Sequence, residues 1–185
     1  TSYPAGRIGG IISREKNKLV TAEEYVRGFQ ERTGDHTRAV VARVYPEYQK
    51  TLLSANAVDF DDLLLHVVAL LRDNPELRAA LDERFRYVLV DEYQDTNYVQ
   101  EQLLLKVTEK TGNLCVVGDE DQSLYRFRGA TVRNILEFPS RFSTCPVVRL
   151  TTNYRFHRAI VERYDRWMAS ADWSNPDGVP FRFDK

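Results

Sequence analysis

The first half of the chain carries the spacing of amphipathic helices. Asp59 is predicted to cap a helix in which apolar side chains recur at three- and four-residue intervals, which indicates a broad core-facing stripe. The residues of this stripe are Phe60, Leu63, Leu64, Val67, Val68 and Leu71. Pro75 fits the first turn of a further helix that reaches about Arg84. The first 20 residues predict an irregular entry followed by a short helix.

Two more helices are predicted between these segments. Thr21 and Glu24 have the spacing of a capping box, which predicts a helix that starts there and ends near Gly34. Another helix is predicted over residues 37–54. Pro46 should kink or restart it, because proline lacks an N–H and its ring crowds the preceding turn. This half of the chain is therefore predicted to be helical throughout.

The rhythm changes in the second half, where short apolar runs alternate with helical segments. Strands are predicted at 87–90, 114–117 and 146–150, and helices at 98–111, 130–138 and 155–171. Short, continuously apolar strands that alternate with helices are typical of a parallel sheet covered on both faces. The predicted fold class is therefore α/β, a parallel sheet with flanking helices, preceded by an all-helical lobe. Residues 173–185 predict an extended tail.

Polar clusters follow all three predicted strands. They are Asp91-Glu92, Asp119 to Gln122, and Asn153 to Arg155. Ligands of parallel sheets collect at the carboxyl ends of strands, so we expect the clusters to form one site. An adjacent pair of acids suits a magnesium–phosphate site, because one carboxylate can hold the metal while the other takes a proton from water. The sequence contains no Gly-x-x-x-x-Gly-Lys-Ser/Thr phosphate loop.

Charge is distributed unevenly along the chain. Residues 1–58 carry 9 basic and 6 acidic side chains, residues 59–125 carry 6 and 15, and residues 126–185 carry 11 and 6. The acidic middle would need a metal ion to attract phosphate, whereas the basic flanks can contact a nucleic-acid backbone. Charge runs are more often plain solvated faces, so this pattern gains weight only beside the motifs.

Composition excludes several classes of protein. With 43% hydrophobic and 29% charged residues over 185 positions, the chain resembles a globular protein with one core and not a disordered or fibrous one. Cys115 and Cys145 form no close metal-binding pair and fit a reducing cytoplasm. The sequence has no long apolar run of the kind that would predict a membrane span or a signal peptide. Because the chain starts at Thr1 without Met, we expect it to be an excised part of a longer protein.

Together, the motifs resemble those of the UvrD/PcrA/Rep-type superfamily 1 DNA helicases. The matching segments are, in chain order, Ile12–Asn17 and Val58–Leu64 (the helical insertion and the segment after it), Asp91–Asn97 (the Walker B motif), Val117–Tyr125 with Arg128–Ala130 (the motif that couples ATP to DNA) and Leu150–Arg155 (the motif that ends in a phosphate-binding arginine). Each match alone is weak, but their order and spacing agree over about residues 8–158.

The resemblance implies a partial RecA-like (P-loop NTPase) fold. Residues 1–58 would be the helical insertion, residues 59–172 the C-terminal half of the first RecA-like ATPase domain, and residues 173–185 the tail. Family members are ATP-driven, Mg²⁺-dependent motors that move 3′ to 5′ along single-stranded DNA and unwind duplex DNA. The Walker A region and the second RecA-like domain would be partners supplied by the remainder of the helicase. In the family sheet the phosphate-loop strand lies between the strand of Val117 and that of Leu150, so a gap is expected there.

The resemblance also assigns roles to residues of the polar clusters. Asp91 would bind Mg²⁺, and Glu92, beside the same metal, would orient and deprotonate the attacking water. Gln122 matches the glutamine that senses the γ-phosphate and links it to DNA. Arg155 suits an arginine finger, since a planar guanidinium meets two phosphate oxygens at once. Two further acids, Asp95 and Asp119, would order the loops or the water shell of the metal.

A second set of residues matches family positions near DNA. Tyr125 and Phe127 can offer π faces to unstacked bases, although the common Tyr-Gly-Trp of the family is replaced here by Tyr125-Arg126-Phe127. The other candidates are Arg128, Tyr154, Phe60, Asp61, Lys16 and Asn17. A core position is as good an interpretation of Phe60, and plain solvation is the more common state of a lysine such as Lys16.

Three functions are weighed from these observations. The first is a fragment of an ATP-dependent DNA helicase that lacks activity by itself, because nothing cradles the β- and γ-phosphates. The alternative is a non-catalytic module that binds DNA or protein through the helical lobe and the basic flanks. A metal nuclease built on the acidic middle is disfavoured, since the acids occupy ATPase positions and no further acidic cluster is added.

Overall fold

A computed structural model describes residues 3–29, 35–123, 131–174 and 182. These parts of the chain form eight α-helices and two strands, in the order α1 Ala5–Lys16, α2 Ala22–Gly28, α3 His36–Ser54, α4 Phe60–Asp73, α5 Pro75–Arg84, β1 Val88–Val90, α6 Tyr98–Val107, β2 Leu114–Val116, α7 Arg133–Arg141 and α8 Arg158–Ser170. Short 3₁₀ turns at Tyr93–Asp95 and Glu120–Gln122 follow the two strands. None of the helices in these ranges is both long and apolar enough to cross a membrane.

Local capping explains where several helices begin. The predicted capping box at the start of α2 is confirmed, with the Thr21 side chain accepting from the Glu24 N–H and the Glu24 carboxylate accepting from the Thr21 N–H. Asp59 caps α4 in the same reciprocal way, as predicted. Pro75 occupies the first turn of α5, where its missing N–H leaves no hydrogen bond unmade.

Two predictions about the first half were wrong in detail. α1 is a 12-residue helix, whereas the glycines at positions 6, 9 and 10 had indicated an irregular entry. α2 ends at Gly28, because Phe29 already has extended backbone angles (φ −73°, ψ 119°). Pro46 lies inside α3, which continues to Ser54 without restarting, and the kink predicted there stays a prediction.

The helical lobe packs around a small apolar cluster. Its buried residues come from α1, α2 and α3 and are Ile8, Ile12, Ala22, Val41 and Tyr45. The Tyr45 hydroxyl donates to the Val20 carbonyl at 3.0 Å, which satisfies the one polar atom of this buried ring. α1 and α2, with 12 and 7 residues, are too short to be stable alone in water and are held by the core that they share with α3.

A buried ion pair joins the end of α1 to the start of α4. Lys16 is 0% exposed, and its ammonium lies 2.6 Å from an oxygen of Asp59 and 2.7 Å from an oxygen of Asp62. The Tyr48 ring on α3 lies 5.1 Å from the same ammonium, and its hydroxyl donates to Asp59 at 2.9 Å. Burial raises the pKa of Asp59, but hydrogen bonds from Lys16, the Asp62 N–H and Tyr48 outweigh burial and hold that pKa below its ordinary value.

The two strands pair in parallel, as predicted, with Val88 opposite Leu114 and Val90 opposite Val116. One face of the pair packs on a buried cluster of Tyr93, Val132, Ile135 and Phe138. On the other face Leu89 is 76% exposed and Cys115 is exposed as well. The expectation of a sheet covered on both faces is therefore wrong for the residues that the structure describes.

The predicted third strand is absent from the structure. Residues 146–150 have no regular secondary structure, and Val148 and Leu150 are 81% and 88% exposed. A strand needs a neighbour to satisfy its N–H and C=O groups, and beyond β2 the described residues supply none. The helices of the second half lie closer to their predicted bounds. α6 was predicted over 98–111 and ends at Val107, and α8 was predicted over 155–171 and spans Arg158–Ser170.

Replacing Lys16 by Met should destabilise the protein by about 3 kcal/mol at pH 7, because two carboxylates are then left without their buried cation. This is the lower end of the usual range, since Asp59 is 23% exposed. An Asp with a lowered pKa contributes stability that is present above about pH 3.9 and is lost as the pH falls through the folded pKa. The difference in the free energy of unfolding between wild type and variant should therefore become smaller below about pH 4. Urea unfolding at pH 7 and pH 3 measures both effects.

Lys18→Met is the matched control, because Lys18 is 63% exposed and its ion pair among the described residues is with Glu15. Its effect should stay within about 0.5 kcal/mol at either pH. Equal losses in the two variants would contradict the assigned role of the buried ion pair.

Gly118→Ala should destabilise the protein by about 1–3 kcal/mol, the usual range for overpacking. A Cβ at this position would overlap Gln94 Oε1 and lie 2.7 Å from Ile135 Cδ1. Gly10→Ala should do the opposite and stabilise by about 0.5–1 kcal/mol, because Gly10 lies within α1 and a Cβ there meets nothing within 4 Å. Thermal unfolding of both variants measures the two signs, and a stabilised Gly118→Ala protein would show that this contact is not tight.

Candidate functional site

The predicted acid pair lies at the carboxyl end of β1. Asp91 and Glu92 are both exposed, and Asp91 Oδ1 accepts from the Glu92 N–H at 2.9 Å. Glu92 has left-handed backbone angles (φ 53°, ψ 40°), which are uncommon for a residue with a Cβ. Non-glycine residues held in this conformation cluster at functional sites, since the surrounding structure must offset the strain.

The buried side chain of Gln94 lies between this acid pair and the loop after β2. Gln94 is 0% exposed. Its Nε2 donates to Glu92 Oε2 at 2.6 Å, and its Oε1 accepts from the Asp119 N–H at 3.1 Å. Gln94 is not predicted as a site residue, because no local pattern shows that a loop glutamine is buried between two motifs.

Asp119 organises the second loop, in agreement with its expected role in ordering. Its Oδ1 accepts from the Asp121 N–H at 3.1 Å, and its Oδ2 accepts from Gln122 Nε2 at 2.9 Å. Gln122 itself is exposed at the surface of the loop. Asp121 forms an ion pair with Arg182 at 2.8 Å, and no sequence pattern predicts this partner from the tail.

The buried residue Tyr93 holds the chain in place directly after the acid pair. It is completely buried, and its N–H donates to the Val117 carbonyl at 3.0 Å, which extends the β1–β2 pairing by one bond. Its hydroxyl donates to Glu101 at 3.1 Å, and Arg141 pairs with the same carboxylate at 2.7 Å. Burial, and then the negative charge of Glu101, raise the pKa of Tyr93, so the hydroxyl stays protonated.

Arg155 is not brought to the acid pair. It follows the unpaired segment 146–150 and is exposed. Asn153 Oδ1 accepts from the N–H groups of Arg155 and Phe156, at 2.9 and 3.0 Å, which makes a local turn. Within the described ranges, no hydrogen bond or ion pair connects the Arg155 guanidinium to Glu92 or Gln122. The three polar clusters were predicted to form one site. The structure connects only the first two.

The candidate DNA-contacting residues fall into three groups, namely exposed rings, residues outside the described ranges, and the neighbours Lys16 and Asn17. Phe60 and Tyr154 are 88% and 93% exposed, so neither ring is part of a core. Tyr125, Phe127 and Arg128 lie outside the described residues. Large exposed rings are available to stack on bases, which is compatible with the expectation for the first group.

Lys16 requires a correction. The expected DNA contact does not agree with its complete burial between Asp59 and Asp62, because the ammonium is already satisfied and no part of it reaches the surface. Its neighbour Asn17 is also occupied. Asn17 Nδ2 donates to Asp61 at 2.8 Å, and Asn17 Oδ1 accepts from Asn97, the N-cap of α6, at 2.6 Å.

The donor set at the end of β1 fits a magnesium ion. Mg²⁺ prefers carboxylate oxygens and keeps several waters, and Asp91 offers an exposed carboxylate at a strand end. Asp95 Oδ1 is buried without a hydrogen-bond partner among the described residues. A buried acceptor of this kind is commonly satisfied by ordered water, including the water shell of a metal. A cradle for the β- and γ-phosphates is not provided, since the sequence has no phosphate loop.

Comparison with known proteins shows to which family the chain is similar. The family model of the UvrD/REP helicase N-terminal domain matches residues 3–143. The chain is 44% identical over 160 residues to the ATP-dependent DNA helicase UvrD1 of Mycobacterium tuberculosis, covering 83% of this chain and 21% of that protein. It is 43% identical over 152 residues to the ATP-dependent DNA helicase PcrA of Bacillus subtilis, covering 82% of this chain and 20% of that protein.

The chain thus spans about a fifth of the length of these curated relatives. The family match includes the strand ends, the acid pair and the loop of Gln122. By this match and by its similarity to both relatives, the chain belongs to the UvrD/REP helicase family.

Proposed function

We propose that this chain is the water-activating part of an ATP-dependent DNA helicase that moves 3′ to 5′ along single-stranded DNA. The observation that carries the proposal is the juxtaposition of an exposed Asp91-Glu92 pair with the Gln122 loop at the carboxyl edge of two parallel strands. Ligands of α/β sheets bind at this edge. The names of the relatives, which are ATP-dependent DNA helicases, support the same function.

In the proposed reaction, Asp91 holds Mg²⁺ and Glu92 acts on the attacking water. Mg²⁺ supplies charge neutralisation at the phosphates when it is bound. The Glu92 carboxylate accepts a hydrogen bond from Gln94 on one oxygen, so the other oxygen is available to orient the water and take its proton. Gln122, exposed on its loop, contacts the γ-phosphate. Arg155 stabilises the charge that develops on the transferred phosphoryl group.

The proposed DNA contacts are aromatic and sequence-independent. Phe60 and Tyr154 are exposed rings. Tyr125, Phe127 and Arg128 also match positions that lie near DNA in the family. Stacking of a base on a ring contributes roughly 1–3 kcal/mol and tolerates every base. DNA and the remainder of the helicase, including the Walker A region and the second RecA-like domain, are the proposed partners.

The 185-residue polypeptide alone should not hydrolyse ATP, because it has no phosphate loop to hold the β- and γ-phosphates. The measurement is phosphate release with and without single-stranded DNA, using Glu92→Gln as the control. Turnover that is present in the wild-type chain and absent in the control would contradict this prediction.

The catalytic assignment itself is tested in a chimera in which residues 3–143 replace the matching segment of Bacillus subtilis PcrA. We expect DNA-stimulated ATP hydrolysis, and Glu92→Gln in the chimera should lower kcat by about 10²–10⁴-fold, the range for removal of a general base. Glu109→Gln is the matched control, since Glu109 is an exposed carboxylate paired with Arg78. A folded chimera whose hydrolysis is equally reduced by both substitutions would refute the role of Glu92.

Binding of a fluorescent oligonucleotide tests the DNA contacts and separates the helicase from the alternative functions. We expect weak, salt-dependent anisotropy changes with single-stranded DNA, and about 5- to 150-fold weaker binding for Phe60→Ala, which corresponds to the loss of one stacked base. Tyr87→Ala is the control, because Tyr87 is 77% exposed and belongs to none of the matched motifs. Binding that both substitutions weaken equally would exclude Phe60 as a stacking residue. The absence of binding would favour a protein-binding module.

A further inference from the structure

We infer that Gln94 is a positioning residue whose buried amide fixes the Glu92 carboxylate relative to the Asp119–Gln122 loop. The inference rests on the proposed function of Glu92 and Gln122 and adds the group that connects them. Three hydrogen bonds form the connection, Gln94 to Glu92 at 2.6 Å, Asp119 to Gln94 at 3.1 Å and Gln122 to Asp119 at 2.9 Å.

The orientation of the Gln94 amide is determined by its partners. The Glu92 carboxylate only accepts hydrogen bonds, so it must face Nε2. The Asp119 backbone N–H only donates, so it must face Oε1. Rotating the amide by 180° would break both bonds at once. No other uncharged side chain of this length donates at one terminal atom and accepts at the other, so the position needs glutamine.

Packing leaves the side chain little freedom to move. Gln94 is 0% exposed and lies in the 3₁₀ turn that Tyr93 anchors. The residue facing its Oε1 is Gly118, and even a methyl group there would overlap this oxygen. A hydrogen bond in such a site is stronger than in water, and an unpaired polar atom is correspondingly unfavourable. The two bonds of Gln94 are therefore kept together or lost together.

This arrangement gives the site a mechanical connection between its two motifs. Gln122 is the exposed end of the series, and Glu92 is the other exposed end. A contact that moves Gln122 shifts Asp119, and through Gln94 it changes the position of Glu92. The effect is reciprocal, because any coupling between two binding groups acts equally in both directions. Occupation of the Gln122 position would thus help to place the water-activating carboxylate.

A pure packing role for Gln94 makes a different prediction. If the side chain only fills space, then Gln94→Glu, which has the same shape, should be tolerated irrespective of the residue at position 92. If its hydrogen bonds matter, Gln94→Glu opposes two carboxylates and should be rescued by Glu92→Gln. In the double variant the new amide at position 92 donates to the new carboxylate, and the Asp119 N–H still has an acceptor.

The test is amide hydrogen exchange, measured by NMR in the 185-residue chain. The Asp119 N–H reports on its bond to Gln94, and the Val117 N–H, which donates to the Val90 carbonyl at 2.8 Å, reports on the sheet. In Gln94→Leu and Gln94→Glu we expect Asp119 exchange to accelerate at least about tenfold, with Val117 changed less than about twofold, as for local opening. The swap of Glu92→Gln with Gln94→Glu should return Asp119 exchange to within about threefold of wild type.

Gln49→Glu is the matched control, since Gln49 also directs its amide at a carboxylate, that of Asp62 at 3.3 Å, but lies in the helical lobe. The effect of Gln49→Glu on amide exchange at Asp119 and Val117 should be the same with and without Glu92→Gln. Equal acceleration at Asp119 and Val117, or failure of the swap to restore Asp119, would overturn the inference. Because the measurement needs no ATP, an inactive PcrA chimera with the expected exchange pattern would refute the proposed function and leave the role of Gln94 intact.

Discussion

The parallel pairing of β1 with β2 is the constraint on which the candidate site depends. Each strand has only three residues, and their register places the residue after β1 beside the residue after β2. The pairing is extended past the strand ends by two bonds of different kinds. The Tyr93 N–H reaches the Val117 carbonyl, and the Asp119 N–H reaches the Gln94 side chain. A side-chain amide thus replaces a strand neighbour where the two loops diverge.

The helical lobe is connected to this region through adjacent residues at the end of α1. Lys16 neutralises the acids at the start of α4, and Asn17 bonds both Asp61 and Asn97, the cap of α6. α6 begins only a few residues after the acid pair. Burial of Lys16 makes the junction specific, because a buried cation without its carboxylates would be strongly destabilising. The lobe is therefore connected to the helix that follows the acid pair by polar contacts.

The extent to which sequence predicts this structure follows the range of the interactions involved. Caps such as Thr21 and Asp59 act within three residues, and both were predicted correctly. The burial of Lys16 depends on acids 43 or more residues away, so its local sequence suggested a surface lysine. Gln94 was missed for the same reason, since its partners Glu92 and Asp119 meet only after the strands pair. Family motifs located the acid pair correctly but not the contacts between motifs.

The difference between Gln122 and Arg155 shows how the two parts of the candidate site are assembled. Gln122 is held by a series of bonds within residues 88–123, all of which the β1–β2 pair brings together. Arg155 follows residues 146–150, whose apolar side chains remain exposed because no neighbouring strand pairs with them in the described structure. Leu89 on the open face of β1 is exposed as well. Apolar surface of this kind normally becomes buried against further structure. The acid pair and Gln122 are thus fixed by local pairing, whereas no such pairing positions Arg155 among the described residues.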